Sequence, residues 1–242
     1  MTTLVRLYAD RLDRPTHERA RLALCPDCPA PRAGILEDLV YPESGCRLRC
    51  VALSARQPIS SQWPASYAFA LVRRGAIVRQ RVDRHGRATA IDAVGSGAGF
   101  LVQDGSAESA PMGFAASASM LCLCPAPVVA DSLEQGQHTA ADLWKLAQTS
   151  LERVERIADA RSRNTAMGRI AALLIALSDT FGAKPRTFVP GSLQQRDLAA
   201  LVAVRHESVC RVLRTMVERS LVRRDDEGIH LLDREGLVSL AN

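Results

Sequence analysis

Two short amphipathic stretches near the C-terminus constrain the fold of this chain more than any other feature. The first places Leu198, Ala199 and Val202 at helical spacing. The second does the same with Val209, Val212, Leu213 and Met216. Apolar residues three and four positions apart share one face of a helix, and the small side chain of Ala199 lets two helices cross closely. With Val204 in the turn between them, residues 192–219 predict a helix-turn-helix.

The outer face of the second predicted helix is polar. Its side chains can form hydrogen bonds with base edges or phosphates of a DNA major groove. The residues predicted to contact DNA are His206, Glu207, Ser208, Arg211 and Arg214, and Cys210 shares their face. The net charge of +5 does not mark this site, because residues 192–242 carry eight arginines and eight acidic residues. The structural alternative is a pair of helices that only pack together.

The flanking segments predict β-structure. Downstream, residues 221–224 and 229–232 enclose an Asp-Asp-Glu-Gly turn, which is typical of a β-hairpin, the wing. Upstream, short β-type runs extend from about Arg47 to Val129, with a turn at residues 83–86 and a glycine-rich loop at 95–99. The predicted fold class is α+β: an N-terminal β-roll of the cupin-like jelly-roll type as sensor, a long dimerisation helix and a C-terminal winged helix-turn-helix.

A long helix is predicted at residues 140–163. Its narrow apolar seam alternates steps of three and four and consists of Leu143, Leu146, Ser150, Val154, Ile157 and Arg161. This is the spacing of a coiled-coil contact, so the seam predicts a homodimer; a helix packed on its own domain is the alternative. A broadly apolar helix follows at 165–181. The predicted domains are a sensor at 1–139, the dimerisation helix at 140–163 and a DNA-binding domain at 164–242.

These segments resemble the CRP/FNR superfamily of transcription regulators from about residue 67 to the C-terminus. The resemblance lies in Gln195-x-Asp-Leu-Ala, His206-Glu-Ser-Val-Cys-Arg-Val-Leu, Leu221-Val, Gly228-Ile, Leu71-Val-Arg-Arg-Gly-Ala-Ile-Val and Arg169-Ile-Ala, with Leu237 in a closing helix. It implies a dimeric regulator, not an enzyme, that binds an inverted-repeat operator and contacts RNA polymerase. Glu207 and Arg211 would read bases, and His206 would help choose the operator.

The resemblance also bears on the sensed ligand. Members that bind cyclic nucleotides carry Gly-Glu-Leu and, later, Arg-Ser or Arg-Thr. The matching stretch here is Gly97-Ala-Gly-Phe, and no arginine lies between Gly105 and Met120. A buried cyclic phosphate would therefore lack a cationic partner, and no cyclic nucleotide is expected.

The seven cysteines indicate a different sensor. No apolar stretch approaches the ~20 residues of a membrane span and no signal peptide is recognisable. We therefore expect a cytoplasmic protein with reduced thiols and no membrane partner. Cys25-x-x-Cys28 has a common ligand spacing, and Ser119-Met-Leu-Cys122 is similar to the ligand stretch of oxygen-sensing fumarate-nitrate reduction regulators. That resemblance implies a [4Fe–4S] cluster that responds to oxygen, nitric oxide or redox state.

The expected cluster ligands are Cys25, Cys28, Cys46 and Cys122, with Cys50 or Cys124 able to complete the set in place of Cys46. A thiol switch, a zinc site, or a haem held by His85 or His138 are alternatives on the same fold. A redox or metal-binding protein without a DNA function is an alternative of another class, and operator binding without any added substrate would separate the two classes.

Overall fold

The computed structural model describes residues 47–59, 67–83, 85–102, 111–135, 137–181 and 187–242. Three of the predicted cluster ligands, Cys25, Cys28 and Cys46, lie outside the described residues. Of His138, only the backbone is described.

Two four-stranded antiparallel sheets form the β-roll. The strands are β1 (Arg49–Leu53), β2 (Pro58–Ile59), β3 (Tyr67–Arg74), β4 (Ala76–Val82), β5 (Ala88–Gly95), β6 (Gly99–Leu101), β7 (Pro111–Ala115) and β8 (Ser119–Pro125). Their orders are β1-β8-β3-β6 and β2-β7-β4-β5. Val72, Ile77 and Leu121 belong to the apolar core shared by the two sheets. The predicted turn between β4 and β5 is confirmed, and His85 lies exposed within it.

Two helices cover the outer face of the first sheet, α1 (Ala126–Gln135) and α2 (Gln137–Ser162). The predicted β-type run to Val129 is wrong at its end, because β8 stops at Pro125 and Pro127 suits a first helical turn. Gly99 permits the close approach of α2 to the sheet. A Cβ at this position would lie 2.5 Å from Leu71 Cδ2 and 2.9 Å from Leu146 Cδ1.

Much of the predicted dimer seam packs inside the protomer. Leu146, Ser150 and Ile157 are buried against the chain's own β-roll and C-terminal core. Leu143 and Val154 are half-buried. The assignment of the three buried residues to an exposed contact is therefore corrected. Apolar residues spaced every 3.5 positions indicate that one face of a helix is buried. The spacing does not indicate whether the same protomer or a second one buries that face.

The C-terminal part is a winged helix-turn-helix, as predicted. Its elements are α3 (Ala166–Phe181), β9 (Phe188–Pro190), α4 (Gln195–Leu201), α5 (His206–Glu218), β10 (Val222–Arg224), β11 (Gly228–Leu231) and α6 (Arg234–Ala241). The three strands pair in the order β10-β11-β9. Leu237 of the predicted closing helix is fully buried in the shared core. No helix in the described part of the chain has the length and apolar character needed to cross a membrane.

Candidate nucleic-acid interface

The sharp turn between α4 and α5 sets the geometry of the site. Ala203 adopts a left-handed conformation with φ of 53°. The Val204 amide donates to the Ala199 carbonyl at 3.1 Å. Val204 is therefore in the turn, as predicted, and packs against the core. The inner face of α5, which carries Val209, Leu213 and Met216, is fully buried, so the opposite face must be turned outward.

The outer face of α5 brings together the residues that the sequence predicts to contact DNA. His206, Glu207, Arg211 and Arg214 are exposed and Ser208 is half-buried. Four of these predicted residues, together with Arg205, line one open concavity at the N-terminal end of α5: His206, Glu207, Ser208 and Arg211. A helix whose N-terminal end is exposed and polar has the shape that helix-turn-helix proteins insert into the major groove.

Gln195 at the start of α4 contacts either Cys210 of α5 or Arg224 of the wing, depending on the orientation of its side-chain amide. In one orientation of the Gln195 amide, its Oε1 accepts from Cys210 Sγ at 2.7 Å. In the other orientation it accepts from Arg224 of β10 at 2.7 Å. A His206 ring nitrogen lies 3.7 Å from the same sulfur. Cys210 therefore belongs to the packing of the DNA-binding domain, far in sequence from the other cysteines.

Two arginines join α4 to the rest of the protomer. Arg56, in the turn between β1 and β2, forms a bidentate ion pair with Asp197 in the first turn of α4. Arg161 at the end of α2 donates to the backbone carbonyls of Leu201 and Ala90, and burial lowers its pKa. The sequence predicts Arg161 on the dimer seam; the structure instead places it between α4 and the β-roll. The Arg56 pairing has no local signature that sequence analysis could detect.

A buried ion cluster joins the long helix to the β-roll. The Asp92 carboxylate of β5 accepts from Arg79 of β4 at 3.2 Å and from Arg153 of α2 at 3.3 Å. Arg153 also donates to the Gly99 carbonyl at 2.7 Å. Burial raises the pKa of Asp92, and the two guanidinium groups act in the opposite direction. The cluster ties three strands to α2, and sequence analysis misses it because each residue alone resembles an ordinary surface charge.

The cysteines of the roll face the long helix. Cys50 of β1 and Cys122 of β8 are directly opposed, with their Sγ atoms 3.6 Å apart. A hydrogen bond from Cys122 and the nearby Arg73 guanidinium lower the pKa of Cys50 to about 6, although burial acts in the opposite direction. Cys124 is fully buried two residues further along β8. The structure thus places the predicted ligand Cys122 beside Cys50, which the sequence offers as an alternative ligand.

Comparisons with known proteins agree with the geometry of the C-terminal part. Residues 168–240 match the family described as the Crp-like helix-turn-helix domain. The nitrogen fixation regulation protein FixK of Rhizobium meliloti is 34% identical over 107 residues, which are 44% of this chain and 50% of FixK. The match therefore spans half the length of that curated relative.

Solved structures share the arrangement of the described elements. FixK2 from Bradyrhizobium japonicum has a TM-score of 0.68 at 18% identity, covering 81% of this chain and 98% of FixK2. A CRP-family transcriptional regulator from Thermus thermophilus has a TM-score of 0.57 at 18% identity, covering 79% and 96% of the two chains. A CooA mutant from Carboxydothermus hydrogenoformans has a TM-score of 0.62 at 14% identity, covering 81% and 88%. These likenesses concern the fold.

The described architecture consists of a β-roll, a long helix and a winged helix-turn-helix with an exposed polar helix face, as expected for a DNA-binding protein. The matched model shows that residues 168–240 are similar to the Crp-like helix-turn-helix domain, and FixK is similar over 107 residues. The Rhizobium FixK is named as a nitrogen fixation regulation protein.

Proposed function

We propose that this chain is a DNA-binding transcription regulator that reads an inverted-repeat operator as a homodimer. The observation that carries the proposal is the two-sided character of α5. Its apolar face is fully buried, and its opposite face presents Glu207, Arg211 and Arg214 to solvent. Glu207 and Arg211 line an open concavity. The regulator would act in the cytoplasm and contact RNA polymerase at its operator.

The residue types on α5 suit different parts of a DNA duplex. Glu207 and Arg211 are one helical turn apart on the exposed face. An arginine donates to guanine O6 and N7, and a glutamate accepts from cytosine N4. Arg214 lies about 10 Å further along the helix axis than Glu207, which suits a phosphate contact. We therefore assign Glu207 and Arg211 to base reading and Arg214 to positioning on the backbone.

An exposed apolar seam on α2 supports the dimer. Trp144 and Leu151 are 72% and 57% exposed. They alternate with Ala147, Val154 and Ala158 at steps of three and four residues. A second copy of the same helix would cover this seam in a two-fold contact. The seam shares Val154 with the one predicted from the sequence and is otherwise displaced from it by one residue along α2.

The test of DNA binding is selection of sites from a random pool by the full-length protein, followed by affinity measurements on the selected site and on single-base variants. Arg211→Ala should weaken binding by about 1–3 kcal/mol and relax discrimination at one base position in each half-site. Arg219→Ala is the matched control, because this exposed arginine ends the same helix about 18 Å from Glu207. A uniform loss on all sequences would assign Arg211 to phosphate, and failure to select any sequence would contradict the proposal.

For the sensor, we propose an iron–sulfur cluster held by Cys25, Cys28, Cys122 and either Cys46 or Cys50. Support in the described residues comes from the donor set, since thiolates are the soft ligands that such clusters use. Cys122 is buried against apolar side chains, and the Cys50 sulfur lies beside it. When bound, the cluster would be the group that reacts with oxygen or nitric oxide or that gains and loses electrons. The chain contributes the thiolates and a largely dry surrounding next to α2.

A further inference from the structure

We propose that Cys50 and Cys122 form a redox-active dithiol that hydroperoxides oxidise to a disulfide between β1 and β8. The site lies in the β-roll and does not involve the DNA-reading face of α5. Cys122 is also a proposed cluster ligand, so the dithiol belongs to the protein without the cluster. The inference is independent of DNA reading by α5, and the dithiol and the DNA-binding proposal can fail separately.

The two residues are already in a position that needs little movement. They face each other directly in the antiparallel register of β1 and β8, where opposed Cβ atoms lie about 4.5–5.5 Å apart. Their Sγ atoms are 3.6 Å apart. A disulfide has an S–S distance of about 2.0 Å and Cβ atoms about 3.5–4.5 Å apart. A shift of one strand by an ångström or two therefore suffices.

The position of β1 makes that shift feasible. β1 is the last described strand at its end of the sheet, with β8 as its neighbour on one side. An outer strand can move toward its partner without breaking pairing on a second side. On β8, Cys122 is held more firmly, because β8 pairs with both β1 and β3.

Differences in exposure assign the two roles. Cys50 is half-buried, whereas Cys122 is 4% exposed. A hydroperoxide therefore meets the sulfur of Cys50 first. Cys122 is the resolving thiol, since its sulfur is within reach of Cys50 and shielded from the reagent.

The hydroperoxide oxidises the two thiols in two steps. The Cys50 thiolate attacks the terminal oxygen of the hydroperoxide, the O–O bond breaks, and the departing alkoxide takes up a proton to leave as alcohol or water. Cys50 is then a sulfenic acid. The Cys122 sulfur attacks the sulfenic sulfur, the S–S bond forms, and the hydroxyl group leaves as water with the proton of Cys122. Two thiols lose two electrons, and one hydroperoxide gains them.

Within the described part of the chain, neither Cys124 nor Cys210 competes for the same position. Cys124 Sγ is directed toward the Pro125 carbonyl at 3.8 Å. Cys210 lies on α5 and contacts Gln195 and His206. The dithiol lies in one apolar cluster with Phe69, Leu71 and Leu146. Formation of the disulfide would therefore change the packing between the sheet and α2.

The experiment uses full-length protein that is freed of iron with a chelator, reduced and desalted without oxygen, and then treated with one equivalent of hydrogen peroxide. We expect non-reducing peptide mapping to find one dominant cross-link, between the peptides that contain Cys50 and Cys122. Cys122→Ser should instead accumulate a sulfenic acid on Cys50 that dimedone traps. Cys210→Ser is the control with a cysteine of similar exposure, and it should form the same cross-link in the same yield.

A second measurement does not depend on oxidation. Dibromobimane, which bridges two neighbouring thiols, should join Cys50 to Cys122 in the reduced protein and fail to do so in Cys50→Ser. The proposal is overturned if Cys50 or Cys122 cross-links mainly to another cysteine, or if both stay reduced while other thiols oxidise.

Discussion

Arg56 and Asp197 lie 141 residues apart in the chain, yet the Arg56 guanidinium donates to both carboxylate oxygens of Asp197 at 2.8 Å. The Asp197 side chain is 3% exposed and that of Arg56 is 31% exposed. Arg56 also lies over the Phe114 ring at 4.3 Å. The Asp197 carboxylate also accepts a hydrogen bond from the backbone N–H of Gln194 at the start of α4. One carboxylate thus begins the first helix of the DNA-binding domain and joins that helix to the β-roll.

Replacement of Arg56 and replacement of Asp197 should lower the free energy of unfolding by different amounts. Arg56→Leu leaves a buried carboxylate without a counter-charge and should lower the free energy of unfolding by about 3 kcal/mol. Asp197→Asn leaves Arg56, which is partly exposed and can regain water, and should cost about 1–2 kcal/mol. Urea unfolding of the single variants and the double variant measures the coupling. If the two effects simply add, the ion pair contributes nothing to stability.

The Asp92 cluster should be far more sensitive than a similar pair on the surface. Asp92→Ala leaves the buried guanidinium groups of Arg79 and Arg153 without their carboxylate, and should cost about 3–5 kcal/mol. The matched control is Asp159→Ala, which removes an i,i+4 pair between the last turn of the same long helix and Arg163, directly after the helix. That change should cost no more than about 0.5 kcal/mol. Thermal or urea unfolding compares the two, and equal losses would contradict a structural role for the cluster.

The exposed seam of α2 should control the oligomeric state. Leu151→Glu would bring two carboxylates together across the two-fold contact, so we expect association weakened about tenfold or more. Leu232→Glu is the control, because this leucine beside β11 is also 57% exposed and lies off the seam. Sedimentation of the two variants at several concentrations is the measurement. A Leu151→Glu protein that remains as dimeric as the control would place the dimer contact elsewhere.

Iron and sulfide should accompany the protein when it is purified without oxygen. Replacement of Cys122 by serine removes one proposed ligand, so cluster absorbance, iron and acid-labile sulfide should fall together. Cys210→Ser should retain all three, because its sulfur lies on α5 and contacts Gln195 of α4. Elemental and sulfide analysis of the three proteins decides the matter. Protein without iron and sulfide would exclude the cluster and leave the DNA-binding proposal intact.

The sequence alone was sufficient for the elements whose patterns are local. The inner residues of α4 and α5, the turn at Val204, the wing and the closing helix with Leu237 are all where their spacing predicts them. The reason is that helical and strand periodicities report which side chains of one element are buried. The outer face of α5 follows by the same logic, because a residue opposite a buried stripe must be exposed.

Only the tertiary structure decided which surfaces meet. The spacing on α2 predicts a buried stripe correctly, yet Leu146 and Ile157 face the protomer itself while Leu151 faces outward. The Arg56–Asp197 pair and the Cys50–Cys122 pair join residues 141 and 72 positions apart. Pairings of this kind depend on how strands are ordered in a sheet and how helices lie across it. The spacing of apolar residues in a single sequence indicates which side of each helix or strand is buried. It does not indicate which other element packs against that side.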